Sequence, residues 1–355
     1  MTPKRIIHCT NFNFIKRIGC YMNIAPYKIS HGLIRNGHNV LDFSDRDILK
    51  AYSCFGKLKQ LGSKPFNRLF YEYCVDTQPD GIILGHADTI TPLTLASIRK
   101  ALPNTVVLQW NVDCINPKIV PDNIEHIKSK IDLVDLTIIT TADKNLWRQF
   151  DTKKHKIGFM PNPVDASIET GRAFEIEDPE WDLVYPSSPN SEREFDGVIM
   201  KTKDILARIE KNIDMNKVLF SRADGVNLTG GEYQRVFANS AMGLNINRSN
   251  HDYLYSSDRM AHLMGNGSLA LMDRRTGFGD LFSDDEIAFF QGEDELYAKI
   301  KYYRANKQER MAVAKKGWEK YHQLFNEKLI AKYIAAIMFD EFDAKDYPWP
   351  TICDD

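Results

Sequence analysis

At 355 residues the chain suits two domains of ordinary size and is long enough to bury a large core. Lys plus Arg is 46 and Asp plus Glu is 48, a net charge of −2, so no global field draws the chain to nucleic acid. The hydrophobic share of 43% and charged share of 26% are those of a soluble globular protein. No apolar run reaches the roughly 18 to 20 residues of a spanning helix, and the N-terminus lacks the apolar core of a signal peptide. The cysteines, Cys9, Cys20, Cys54, Cys74, Cys114 and Cys353, form no C-x2-C pair. That argues against a zinc site or a disulfide framework and points to a reducing cytoplasm.

Arg5–Thr10 is the first expected strand, followed by a loop, a helix to about Asn36, the Gly37-His38 turn and the strand NVLDFS. This order opens a Rossmann-like unit. The loop has no G-x-G-x-x-G, which argues against a nicotinamide or flavin dinucleotide enzyme, and no other cofactor is indicated. Asp45-Arg46-Asp47 has the spacing of an Asp-x-Asp metal motif, but at a strand end it reads as a helix cap. Residues 55–70 mix Lys57, Lys59, Lys64 and Arg68 with bulky apolar side chains. They suit an amphipathic segment docked on the sheet, with anionic lipid or a lipid-linked acceptor as the functional alternative. Gly62 and Pro65 are expected to interrupt a helix there. PDGIILGHAD, the helix PLTLASIRKA, TVVLQW, the helix IEHIKSKIDLVD, LTIITT and KIGFMPNPVD complete this half.

Strands alternating with helices indicate a parallel sheet, and ligands bind outside the carboxyl ends of such strands. Those ends carry His86 and Asp88, Asn111 and Asp113, and Thr140, Thr141 and Asp143. His86 and Asp113 are the candidates for catalytic acid–base work.

The acidic stretch 165–180, with Gly171 and Pro179, is the expected boundary. It separates an N-terminal domain (1–165) from a second (166–325), with a helix and tail over 326–355. WDLVYPSS opens the second domain, a helix is expected from about Glu194 to Lys211, and KVLFS brings Ser221 and Arg222 to a strand end. The helix EYQRVFANSA and strand MGLNIN lead to Asn247 and Arg248.

Tyr255–Gln291 is the most strongly patterned stretch. Ser256, Ser257 and Asp258 suit a helix start, Met260, Leu263 and Met264 form its apolar side, and Gly265 and Gly267 offer a stop. SLALM reads as a buried strand and IAFFQ as a second apolar run. Arg259 falls in the first turn, where unpaired N–H groups and an arginine make a cradle for phosphate. His262 shares a helix face with Asp258 and Arg259. Beyond Glu293 the chain is helical, ending in an apolar stripe of Leu329, Ile330, Tyr333, Ile334, Ile337 and Met338.

Arg259, Gly267, SLALM, GFGDLF (Gly277–Phe282) and Asp294-Glu295-Leu296 together resemble the donor-binding segment of glycosyltransferases with the two-Rossmann GT-B architecture. The likeness is strongest to the group-1-like set that includes spore-maturation-type proteins. RNGHNV resembles the Gly-His turn of their N-terminal half. The resemblance implies two Rossmann-like domains facing each other across a cleft, with the final helix crossing back to the first. It implies a nucleotide-sugar pocket drawing on Arg222, Tyr233, Asn247, Ser257 and Arg259, with Arg259 on the donor diphosphate. Where many members carry a ribose-binding Glu this chain has His262, expected to stand in for it and to be neutral beside Arg259. The earlier Glu of their Glu-x7-Glu pair falls on Leu254.

The expected activity is transfer of a sugar from a nucleoside-diphosphate donor to an acceptor hydroxyl on a glycan, a lipid-linked molecule or a small molecule, in glycan or cell-surface polysaccharide synthesis. The setting is cytoplasmic, with peripheral contact at the inner face of the membrane. No metal is needed if the helix start, Arg259 and Arg222 neutralise the leaving diphosphate. An inverting course needs a base, for which His86 or Asp113 serves, and a retaining course does not. The rivals are a sugar-nucleotide epimerase or phosphorylase on the same fold, and a catalytically silent relative that binds a glycan or a partner enzyme.

Overall fold

Strands such as RIIHCT and GIILG are buried along nearly their whole length, which marks a parallel sheet covered on both faces. In a computed structural model, residues 2–14, 22, 24–52, 59–150, 155–220 and 228–352 are described. The chain forms two units: Met1–Thr140, Lys144–Met160 and Glu327–Asp355 make up unit 1, and Thr141–Asp143 and Pro161–Asn326 make up unit 2.

Unit 1 begins β1 (Arg5–Thr10), α1 (Ala25–Arg35), β2 (Asn39–Ser44), α2 (Asp45–Tyr52), α3 (Lys59–Thr77) and β3 (Gly81–Gly85). It continues α4 (Pro92–Ala101), β4 (Val106–Asn111), α5 (Pro121–Lys128), β5 (Leu136–Ile139), α6 (Lys144–Trp147) and β6 (Lys156–Phe159). The sheet order is β2-β1-β3-β4-β5-β6 and every pair is parallel. Strand order reverses between β1 and β3, which makes their carboxyl ends the natural place for a ligand.

Two local expectations change here and a third holds. α3 runs unbroken through Pro65, because Phe66 and Phe70 are fully buried in the core. Two such burials, each worth roughly 1.5 to 3 kcal/mol, outweigh the roughly 3 kcal/mol of an interior proline. Residues 55–58 of the basic segment lie outside the described residues. The helix expected across IEHIKSKIDLVD instead starts at Pro121, whose fixed φ favours a first turn, and ends at Lys128. Asp45-Arg46-Asp47 opens α2 directly after β2, as a strand-end helix start should: Asp45 accepts from Thr89 Oγ1 at 2.7 Å, and Asp47 from Ser44 Oγ at 2.6 Å.

Unit 2 holds β7 (Trp181–Val184), β8 (Glu192–Phe195), β9 (Val198–Lys201), α7 (Thr202–Asn212), β10 (Val218–Leu219) and α8 (Gly230–Ala238). It continues β11 (Ser240–Asn245), α9 (Arg259–Gly265), β12 (Leu269–Asp273), β13 (Ala288–Phe290), α10 (Glu293–Ala305) and α11 (Lys307–Leu324). Its parallel sheet has the order β10-β7-β11-β12-β13, reversing between β7 and β11. The helix expected from Glu194 is an antiparallel hairpin, β8–β9, before α7 begins at Thr202. Asp196 and Gly197, with φ of 49° and 78°, form its turn, and an Asp-Gly pair is a strong hairpin signal.

The chain then returns to unit 1 as α12 (Glu327–Met338). Arg35 Nη1 meets Glu327 Oε1 at 2.5 Å and Asn36 Nδ2 donates to Lys328 O at 2.8 Å, so α12 is tied to α1. Ile330, Tyr333, Ile334, Ile337 and Met338 are buried. The tail then covers the open edge of β6, with Phe159 N donating to Thr351 O at 3.0 Å. Among the described residues no helix is long and apolar enough to cross a membrane.

Candidate functional site

Past the ends of β7 and β11, where unit 2 reverses its strand order, a buried polar cluster gathers. Tyr185 follows β7, and its hydroxyl donates to Ile246 O at 2.8 Å. That anchors its ring beneath the Arg259 guanidinium, 4.3 Å from the centroid. Asn247 follows β11; its amide donates to Tyr255 O at 3.0 Å and its oxygen accepts from Ser257 N at 3.2 Å. One side chain thereby closes the loop that leads into α9. Ser257 Oγ accepts from Arg259 Nη1 at 3.2 Å and donates to Asn245 Oδ1 at 3.4 Å. Tyr233, on α8, meets His262 edge-on at 5.3 Å. Burial pushes its phenol up to about 12, with Arg259 drawing it the other way.

Arg259 opens α9, yet α9 is only seven residues long, and Asp258 makes no side-chain cap bond because its own backbone is already helical (φ −53°, ψ −20°). The expected capping oxygens do other work: Ser257 Oγ is bonded within the cluster and Ser256 Oγ lies 3.3 Å from Asn162 Nδ2. Among the described residues, Arg259 Nε and Asn245 Nδ2 are buried with no hydrogen-bond partner. Buried donors without acceptors are rare in folded proteins, and two in one cluster leave places for acceptor oxygens. Arg222 lies outside the described residues.

His262 faces inward from α9. Its Nδ1 lies 2.8 Å from Glu169 Oε1 and its Nε2 lies 3.3 Å from Asp258 Oδ2. Asn266 Nδ2 donates to Gln234 Oε1 at 2.7 Å, and Gln234 Nε2 lies 3.4 Å from Glu169 Oε1, which extends the network. Glu169 reaches this position because its segment packs directly on Gly265, where a methyl group would run into Glu169 and Val164. The ring therefore has two carboxylates at hydrogen-bond distance, neighbours that the reading of the sequence did not count beside Arg259. Leu254, at the position of the earlier family Glu, is buried with φ 55° and brings no polar group. Sequence reasoning missed Tyr185 and took Glu169 only as part of an acidic boundary.

In unit 1, β3 delivers His86 to the point where strand order reverses. The ring stands edge-on to Trp110 at 5.7 Å, and Nδ1 lies 3.9 Å from Asp113 Oδ2. Sequence separation alone could not tell that the two meet. Burial lowers the His86 pKa below 6.5; Asp113 opposes this, while His126 and Arg46 reinforce it. Asn111 Oδ1 accepts from Asp113 N at 2.7 Å and turns the chain there. Asp88 is taken up by Arg46, with two bonds of 3.1 Å.

Beneath this rim Trp110 Nε1 donates to His8 Nε2 at 3.2 Å, His8 Nδ1 donates to Ser30 Oγ at 2.8 Å, and Ser30 donates to Asp42 at 2.6 Å. Burial lowers His8 to about 3, so it stays neutral as a fixed support for Trp110.

Residues 207–336 match the family model described as glycosyl transferase-like. No curated protein sequence matches the chain. Among solved structures, Alr3699/HepE from Anabaena in complex with UDP and glucose is similar at 13% identity and a TM-score of 0.61, over 95% of this chain and 100% of that one. A glycosyltransferase from Rickettsia africae ESF-5 is similar at 10% identity and 0.55, over 96% and 99%. A UDP-N-acetylglucosamine 2-epimerase is similar at 12% identity and 0.52, over 98% and 99%. The fold is GT-B.

Proposed function

We propose that the chain is a glycosyltransferase that takes its sugar from a nucleoside-diphosphate donor held by unit 2. The observation that carries this is the pair of buried, unpartnered donors, Arg259 Nε and Asn245 Nδ2, beside Ser257. A diphosphate supplies the acceptor oxygens those donors lack, and its charge suits a guanidinium already oriented by Tyr185. The glycosyl transferase-like match spans Asn245, Ser257 and Arg259, and the Anabaena structure of the same fold holds UDP and glucose. In this reading Arg259 neutralises the leaving diphosphate without a metal ion, and Arg222 assists.

The ribose-reading role first given to His262 passes to Asp258. The His262 ring is occupied by Glu169 on one side and holds Asp258 on the other, while the Asp258 side chain keeps 25% of its surface exposed. On unit 1, His86 takes the acceptor hydroxyl proton, with Asp113 orienting it. The acceptor is a sugar or lipid-linked hydroxyl, and the branch is the group-1-like set with the spore-maturation-type proteins.

The test is a thermal-shift and calorimetric series with UDP-, GDP-, ADP-, dTDP- and CMP-sugars, with and without EDTA. One nucleoside-diphosphate series should raise Tm, unaffected by chelation, because a ligand of the native state stabilises it. No binding by any of them would overturn the reading. Turnover without an acceptor, or only with orthophosphate, would instead favour an epimerase or phosphorylase.

A further inference from the structure

The carboxyl end of β3 is held from outside by two side chains that the proposed reaction does not use. His86 and Ala87 are consecutive and neither is glycine, yet both have left-handed backbones, with φ of 58° and 36°. That conformation is disfavoured for any residue with a Cβ and persists only where the surroundings impose it. Part of the restraint is main-chain: His86 N donates to Trp110 O at 3.1 Å and Ile90 N to Ala87 O at 3.2 Å. The rest comes from α5 and the turn after it. His126 Nε2 donates to His86 O at 2.8 Å, and Lys130 Nζ donates to Ala87 O.

Lys130 is an unusual choice for such a tie. It is 3% exposed, and burial lowers its pKa, with Cys9, Asp88 and Asp45 opposing. Burying an ammonium costs far more than a surface loop contact returns. The two carbonyl oxygens belong to the residues whose dihedrals decide where the His86 ring points, 3.9 Å from Asp113.

We infer that Lys130 and His126 are positioning residues. By holding the Ala87 and His86 carbonyl oxygens they keep the left-handed turn that presents the His86 imidazole beside Asp113. The catalytic consequence rests on the proposed base role of His86; the positioning itself does not. A brace that served the fold alone would leave the environment of the ring unchanged when it was loosened.

The experiment is an NMR pH titration of the His86 imidazole in the full-length protein, assigned with His86→Gln. The groups facing that ring are Asp113, His126, Arg46 and Asp88. In Lys130→Met the midpoint should rise toward 6.5, by roughly half a unit or more, as the released ring gains water. Lys130→Arg, which keeps a charged donor, should restore it. His126→Ala and His126→Gln both remove the imidazole, but only the glutamine keeps a donor, so their difference reads the turn and not the charge. A rise in the alanine relative to the glutamine supports the inference. If Lys130→Met does not fold, this pair decides.

Donor turnover in Lys130→Met and His126→Ala should lose at least tenfold in kcat, a part of the roughly 10²- to 10⁴-fold that a general base contributes, with KM for the donor unchanged, while Lys130→Arg and His126→Gln keep the turnover. Unmoved midpoints in Lys130→Met, and in His126→Ala against His126→Gln, would overturn the inference. Midpoints that move while kcat does not would uphold the positioning and remove His86 as the base.

Discussion

Each unit sets a histidine against a carboxylate, from helix α9 in one and from the end of β3 in the other, and the two pairs have opposite characters. In unit 2 His262 and Glu169 lie 2.8 Å apart with side chains 3% and 0% exposed. In unit 1 His86 and Asp113 lie 3.9 Å apart, 25% and 62% exposed. A pair shut away from water satisfies two buried polar groups at once, so removing either member strands the other. An open pair is screened and contributes little to stability, but its ring can exchange protons with whatever arrives. The same pairing of histidine and carboxylate is therefore sealed framework in one place and, in the function proposed, a reagent in the other, and burial separates the two. The supports differ in kind as well. Side chains brace one another around Arg259, whereas the turn at His86 is a strained backbone held by α5 and Lys130.

The sharpest test of this contrast is thermodynamic. Glu169→Ala should destabilise the protein by about 3 to 5 kcal/mol, the cost of breaking a buried pair. Asp113→Ala should cost less than about 1 kcal/mol, as an exposed pair does. Urea denaturation measures both, and equal losses would erase the distinction. Next in size is the donor contact: Arg259→Ala should weaken binding of the donor nucleotide by about 1.5 to 3 kcal/mol, the scale of charge-assisted hydrogen bonds. Calorimetry with the nucleotide that raises Tm reads this directly, and unchanged affinity would take Arg259 out of the donor site.

The smallest effect concerns pH. A base works only when deprotonated, so in the function proposed activity falls as pH drops through the His86 pKa. Asp113 holds that pKa up against burial. Asp113→Asn should therefore move the acid limb of kcat to lower pH, by less than about one unit for a partly exposed pair. A limb that stays put or moves up would mean that Asp113 does not act on His86.

Much of this was legible in the chain. Apolar runs alternating with amphipathic helices demand parallel sheets, and parallel strands bring their carboxyl ends to one rim. That is why His86, Asp113 and Asn247 could be placed at strand ends without coordinates. The stop of α9 before Gly267, with φ of 78°, also follows from local chemistry.

What local chemistry could not supply was partnership. Glu169 reaches His262 across 93 residues because Gly265 leaves room for the Val164 and Glu169 side chains against α9. Tyr185 lies under Arg259 because two strand ends adjoin in the sheet, and α3 continues through Pro65 because the core holds Phe66 and Phe70. Periodicity and capping report which way a side chain faces and where an element stops. Which groups lose their water together, and so whether a histidine becomes a brace or a base, depends on packing between segments far apart in the chain. Only the tertiary structure determines that.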